Sequence, residues 1–301
     1  MYENDEWQSS KTLKVAIQTV DRCNNSCLMC PGPFIYRTNK IMSDNVFIRI
    51  VSCLLDYMKF YKMNKIKFDF FLQNEPLLDP LIFKRIEFVK KVLPGVRVEI
   101  SSNGLLVPKY KHQLLKLVDY HFYNIMGWNA ESYNTFHGTN INQKFYDEMI
   151  TSINDIKKHF STERVIIAFY NKKLAGNLKN AKKWYKRDYS RGGFLSNDKI
   201  YHNSIKGCYY DKHKFWNFLV DGNLILCYQD WRRQTILGNI IFQNLFEIES
   251  STLYKTYILK VEGKIKSEKD FICKKCELSY GDKKFSKPED IWQPEIFKYY
   301  N

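Results

Sequence analysis

Cys23-Asn24-Asn25-Ser26-Cys27-Leu28-Met29-Cys30 is the stretch on which the reading of this chain turns. Its three thiols stand four and then three residues apart, directly after an apolar, strand-like run, Val15-Ala16-Ile17-Gln18-Thr19-Val20. Thiolates are the preferred ligands of iron–sulfur clusters, and three on one tight loop hold three corners of a cubane. The fourth iron then stays open to a substrate or cofactor. A structural zinc site asks for four ligands, commonly in short paired cysteine units. Buried core thiols would need no metal at all. The spacing alone leaves these readings open.

Outward from that loop, composition narrows the class. A chain of 301 residues, 45% of them hydrophobic, suits one large domain or a domain with a small appendage. No run of about 18 apolar residues predicts a membrane helix. The start, Met1-Tyr2-Glu3-Asn4-Asp5-Glu6, is acidic and polar, unlike a secretory signal. A cytoplasmic location is therefore expected. In a reducing compartment the eight cysteines point to metal or redox chemistry rather than to disulfides. A net charge of +15 admits a nucleic-acid partner. The lysines are scattered, however, and the richness in Lys, Asn, Ile, Tyr and Phe also fits a nucleotide bias of the genome; a basic mouth drawing in a phosphorylated or nucleotide-linked small molecule is a middle reading.

Strands and helices alternate. The first strand is placed at 13–20. Ser43 is placed as the N-cap of a long helix whose Val46, Ile50, Val51, Leu54, Leu55 and Met58 share one face. Cys53, on the border of that face, reads as a small buried hydrophobe. Further strands are expected at 66–72, 96–100, 120–126 and 164–170, with helices at 81–93, 143–160 and 178–186. Arg191-Gly192-Gly193-Phe194 is expected to lead into a sixth strand. Such alternation predicts parallel β/α units, with ligand contacts on the loops after the strands. Glu75-Pro76, Ser102-Asn103-Gly104 and Gly127-Trp128-Asn129 all fall on such loops. His121 and His137 read as structural hydrogen-bonders rather than ligands.

The cysteine loop, with Glu75-Pro76 and the Asn103-Gly104 turn after it, resembles the radical S-adenosylmethionine (radical SAM) enzymes. The resemblance implies a partial (β/α)6 barrel over residues 1–200. Cys23, Cys27 and Cys30 would hold a 4Fe–4S cluster. S-adenosylmethionine would sit by Met29 near its adenine, Glu75 at its amino group, Ser102 and Asn103 near its ribose, and Asn129. The chain departs from the family at Gln73-Asn74, where glycines would stand, and at Gly127, where a serine would. An external low-potential electron donor such as flavodoxin or ferredoxin is also implied.

Four further thiols, Cys208, Cys227, Cys273 and Cys276, lie in the C-terminal third. Alone they would suit zinc as well as iron. Their context runs in order: Cys208, the Asp221-Gly222-Asn223 hairpin turn, Cys227, Leu237-Gly238-Asn239, a helix over 245–261, then Cys273-Lys274-Lys275-Cys276. It resembles the auxiliary-cluster extension of radical SAM enzymes, SPASM in its full form and twitch in its short form. Residues 201–301 would form this unit and hold a second 4Fe–4S cluster. The whole resemblance spans about 14–280.

What it implies chemically is a 5′-deoxyadenosyl radical that takes hydrogen from an unactivated C–H. The auxiliary cluster would then accept the electron that turns the resulting alcohol radical into a ketone. The four-cysteine spacing is similar to that of the radical SAM 2-deoxy-scyllo-inosamine dehydrogenases. By that likeness Arg191 would contact the reacting alcohol; otherwise it is a surface arginine before a Gly-Gly turn. The expected substrate is a carbohydrate- or aminocyclitol-like small molecule. Epimerisation is the main rival; it needs a hydrogen donor, and the one spare thiol, Cys53, is poorly placed in the first helix, although a tyrosine could donate instead. Peptide modification is a third reading, disfavoured by the 22 residues before Cys23. A non-catalytic zinc or nucleic-acid-binding protein is the reading of another class.

Overall fold

In the computed structural model of the chain, residues 12–160, 164–168, 190–195, 199–209 and 211–282 are described. Five parallel strands come first: β1 (Thr12–Ile17), β2 (Lys65–Phe70), β3 (Val96–Ser102), β4 (Tyr120–Asn124) and β5 (Val165–Ala168). They lie side by side in chain order, Val15 opposite Phe68, Phe68 opposite Val98, and His121 opposite both Ile100 and Val165. Between them run α1 (Asp44–Phe60), α2 (Ile82–Val92), α3 (Val107–Leu117), α4 (Ala130–His137) and α5 (Gln143–His159). This is the partial α/β barrel that the alternation predicts.

The strand β2 shows how the two faces divide. Ile66, Phe68 and Phe70 are fully buried against the helices, while Lys65, Lys67 and Asp69 alternate with them on the other face. That inner face is charged: Lys67 Nζ meets Glu99 Oε2 at 2.7 Å, and Arg97 joins the same carboxylate. The helix α1 begins where Ser43 predicts, its Oγ accepting from the Val46 N–H at 3.3 Å. Its buried face includes Ile50, Val51, Leu54 and Met58, and also Phe47 and Tyr57. Cys53 is 4% exposed and part of that core.

Residues 190–195 form turns, with Arg191, Gly192 and Gly193 at positive φ (49°, 63° and 92°); part of the strand expected after them, residues 196–198, lies outside the described residues. After β6 (Ile205–Cys208), β7 (Trp216–Phe218) pairs parallel with β1, on the side away from β2. It opens the predicted hairpin: β8 (Asn223–Ile225) runs antiparallel to β7, and β9 (Ile236–Asn239) antiparallel to β8. Leu219 and Ile225 of this hairpin pack with Ala16 and Leu72, covering part of the barrel's inner face.

The single helix expected over 245–261 is two, α6 (Leu245–Ser250) and α7 (Thr252–Val261). Ser251 breaks it, with extended backbone (ψ 146°) and its Oγ capping the Tyr254 N–H. A final strand, β10 (Ser279–Gly281), pairs antiparallel with β6. The helix expected over 178–186 and the last residues of the 164–170 strand lie outside the described residues. No described helix is long and apolar enough to cross a membrane.

Candidate active site: a three-thiol loop and a four-thiol recess

The loop after β1 carries Cys23, Cys27 and Cys30, and the end of α4 moulds it. Ser26 N–H donates to the His137 carbonyl at 2.9 Å and Leu28 N–H to the Phe136 carbonyl at 3.0 Å. Gly138, the left-handed C-cap of α4 (φ 60°), permits this approach. A Cβ there would lie 2.6 Å from the Ser26 carbonyl oxygen. Burial pushes the Cys23 thiol up to about 11, the nearby Glu75 carboxylate adding to it. Burial also raises Cys27, followed by the charges of Cys30 and Cys23. The three thiols thus share one electrostatic environment.

His137 supports this loop from beneath. Its Nε2 accepts from the Met126 N–H at 3.0 Å, and its Nδ1 lies 3.3 Å from Cys27 Sγ, with the Asn25 carboxamide 2.9 Å away. Tyr133 stacks on the ring at 4.1 Å. Burial lowers the imidazole to about 3, so it is neutral at ordinary pH. The histidine is a structural hydrogen-bonder, as expected, but one directed at a cluster-loop thiol.

Loops after β2 and β3 bring Glu75, Ser102 and Asn103 to the same place. Glu75 is 2% exposed; its Oε2 accepts from the Asn103 N–H at 2.8 Å and its Oε1 from the Leu77 N–H at 3.2 Å. Burial pushes this carboxyl up to about 7, against the pull of Asn103, Ser102 and Leu77. Asn103 Nδ2 donates to Asn24 Oδ1 at 2.7 Å and lies 3.9 Å from Cys23 Sγ. Met29 is buried with Met126 and Phe136, beside Cys27. Arg191 reaches the loop from the other side, its Nε–H donating to the Met29 carbonyl at 3.2 Å. Asn129 plays a different part. Its Oδ1 accepts from the Ser132 N–H at 2.9 Å and forms a capping box at the start of α4.

The second thiol set surrounds a recess of ≈ 400 Å³, a volume that includes open solvent. Cys208, Cys227, Cys273 and Cys276 all line it, with Leu226, Val261, Ile272 and Leu278 as apolar walls. The β6–β10 pairing sets Cys208 opposite Ser279, and a 3-10 turn over Ile272–Lys275 carries Cys273. Burial raises the Cys273 thiol, with Cys208 adding to it. His213 also lines this recess; sequence reasoning did not single it out. It is 7% exposed, and neither ring nitrogen has a hydrogen-bond partner among the described residues. Each buried polar group left so costs about 1–3 kcal/mol.

Side chains that the motifs did not flag join the two sets. Gln73 stands where glycine was expected, and its Nε2 donates to the carbonyls of Asp230 (3.0 Å) and Tyr228 (3.3 Å), just past Cys227. Arg37 donates to the Gln73 carbonyl at 2.7 Å. Asp21 is fully buried between Arg37 and Arg233, at 3.5 and 3.2 Å. Burial works to raise its carboxyl, but Thr38 and the two guanidiniums outweigh it and hold it below the ordinary value.

The radical SAM superfamily model matches residues 17–173, over half of the chain. The chain belongs to the radical SAM superfamily. Among solved structures it is similar to BtrN in complex with AdoMet and 2-DOIA, at 19% identity and a TM-score of 0.59, covering 84% of this chain and 88% of that one. It is similar to anSMEcpe with bound AdoMet, at 17% identity and a TM-score of 0.61, covering 88% and 83%. Streptococcus suis SuiB bound to precursor peptide SuiA is more distant, at 12% identity and a TM-score of 0.53, covering 89% and 70%. At such identities these likenesses establish the fold. No curated protein sequence matches the chain.

For a radical SAM chain the residues present fit the family's groups. Three half-buried thiols share the loop after β1, where a cationic cluster would offset the burial that raises Cys23 and Cys27. Glu75 offers a desolvated carboxylate that an ammonium group would stabilise. At the second set, four thiols line one recess together with the His213 imidazole, whose ring nitrogens have no hydrogen-bond partner among the described residues. No three described His, Cys, Asp or Glu side chains stand close enough to hold a single metal ion.

Proposed function

We propose that this chain is a radical SAM oxidoreductase that oxidises an alcohol of a carbohydrate- or aminocyclitol-like small molecule to a ketone. In this reading Cys23, Cys27 and Cys30 hold the cluster that reduces AdoMet. Cys208, Cys227, Cys273 and Cys276 hold a second 4Fe–4S cluster within a twitch-like unit over 201–301. Bound together, cluster and AdoMet supply a 5′-deoxyadenosyl radical able to take hydrogen from an unactivated C–H, and the second cluster supplies a sink for one electron. The observation that carries the proposal is that all four C-terminal thiols line one recess, which supports a fully ligated cluster there.

The chain's own residues do the rest. Glu75 pairs with the AdoMet ammonium, Asn103 and Ser102 stand on the ribose side, and Met29 packs against the adenine. Arg191, whose Nε donates to the Met29 carbonyl beside the cluster loop, contacts the reacting alcohol in this reading. Epimerisation with a thiol donor is weaker, because Cys53, the thiol left over, is buried in the core on α1. The likeness to BtrN solved with AdoMet and 2-DOIA supports a small cyclitol substrate. A second reading, peptide modification, draws on the likeness to anSMEcpe solved with a Kp18Cys peptide.

The test is anaerobic turnover with AdoMet, reductant and a panel of aminocyclitols, sugars and their phosphorylated forms. A product lighter by a pair of hydrogens, formed with 5′-deoxyadenosine, supports oxidation. An isobaric product that carries solvent deuterium would replace it with epimerisation. Turnover of cysteine- or serine-containing peptides alone would favour the second reading.

A further inference from the structure

His213 sits on the 3-10 turn Lys212–Lys214, between Cys208 on β6 and the start of β7. Its ring enters the recess lined by Cys208, Cys227, Cys273 and Cys276. Both ring nitrogens are sealed from solvent and lack hydrogen-bond partners among the described residues. Buried polar groups of this kind are satisfied in native structures. The walls include apolar Leu226, Val261, Ile272 and Leu278, which offer nothing to pair with, and polar Gln229 and Ser279, neither of which hydrogen-bonds a ring nitrogen. The four cysteine sulfurs are the other polar atoms lining this recess. Four thiolates already fill the four corners of a cubane, so the imidazole is not needed as a ligand.

We propose that His213 donates a ring N–H to a sulfur of the auxiliary cluster and thereby raises that cluster's reduction potential. The inference rests on the proposed second cluster. Hydrogen bonds to cluster sulfurs are one of the terms that set the potential, since they stabilise the more negative, reduced state. A raised potential is what an electron sink requires. His213 is thus a positioning and tuning residue: it acts on the substrate's electron only through the cluster, and it touches no substrate atom.

The experiment compares wild-type protein with His213→Phe and His213→Asn, each reconstituted anaerobically. Iron content, an EPR-monitored redox titration and pulsed-EPR nitrogen couplings are recorded for each. Because the loop cysteines can be replaced together in the same background, the auxiliary signal is observed alone. The expected result is a second cluster in all three proteins. A weak imidazole nitrogen coupling appears only in the wild type. The His213→Phe midpoint falls by about 59 mV, a tenfold change in a one-electron equilibrium, and the amide of His213→Asn restores part of the shift. An auxiliary cluster whose potential and couplings are the same in wild type and His213→Phe overturns the inference. So does a strong coupling that marks imidazole as a direct iron ligand. Wild-type protein with no auxiliary cluster overturns the underlying reading instead, and iron content separates that failure from the others.

Discussion

At the scale of single residues, the sequence exposed the thiols and Glu75 but not the side chains that hold them. Cysteine spacing is a local code, readable without a fold. The contact between His137 Nδ1 and Cys27 Sγ joins residues 110 positions apart, and only the β/α topology brings them together. Gln73 looked like a departure from a glycine pair; its side chain is instead a tie to the Asp230 loop. Two predictions belong here. Replacing Cys27 with Ala removes one of three ligands on its loop and should abolish AdoMet cleavage, with loss of about half the iron. Glu75→Gln should leave iron content unchanged while weakening AdoMet binding. Breaking a buried ion pair costs about 3–5 kcal/mol, so calorimetry should find a Kd raised at least a hundredfold.

At the scale of elements, most strands and helices were legible because apolar periodicity and capping residues are local. Ser43 announces α1; Asn142 and Ser251 cap α5 and α7 in the same way, but neither was read as a cap, so the break at Ser251 went unseen. What sequence could not show was partner choice. The strand β7 is three residues long, and nothing in Trp216-Asn217-Phe218 says that it will extend the sheet at β1 rather than at β5. The element that matters most to the site is α4. Gly138→Ala forces a Cβ into the left-handed cap and into Ser26, and should cost about 1–3 kcal/mol, seen as a lowered melting temperature and a poorly reconstituted first cluster. Asn129 lends itself to a cleaner separation. Asn129→Ser keeps a good N-cap, so stability should change by less than about 0.5 kcal/mol, while AdoMet affinity falls if the carboxamide serves the cofactor as the family resemblance implies. Unchanged affinity would leave Asn129 as a helix cap and nothing more.

At the scale of the whole molecule, β7–β9 extend the same sheet as β1–β5. Gln73, Asp21, Arg37 and Arg233 then tie the loops of the two cysteine sets together. Linear distance hid this, because Asp21 and Arg233 are 212 positions apart. The buried, neutral imidazoles give the fold a pH signature. Burial lowers both His121 and His137 to about 3, against an ordinary value of 6.5. The unfolded chain therefore binds more protons between pH 6.5 and 3, and stability is lost as pH falls through that window. Denaturant midpoints should drop accordingly, and less steeply in His121→Phe. Cys227→Ala should keep AdoMet cleavage and lose ketone formation. The most direct test of the whole account is iron, sulfide and zinc content after anaerobic reconstitution. We predict about eight irons and eight sulfides per chain, two four-iron clusters, falling to about four when Cys227 and Cys273 are replaced. About four irons in the wild type would contradict the second cluster and the alcohol oxidation built on it, and zinc without iron would contradict both.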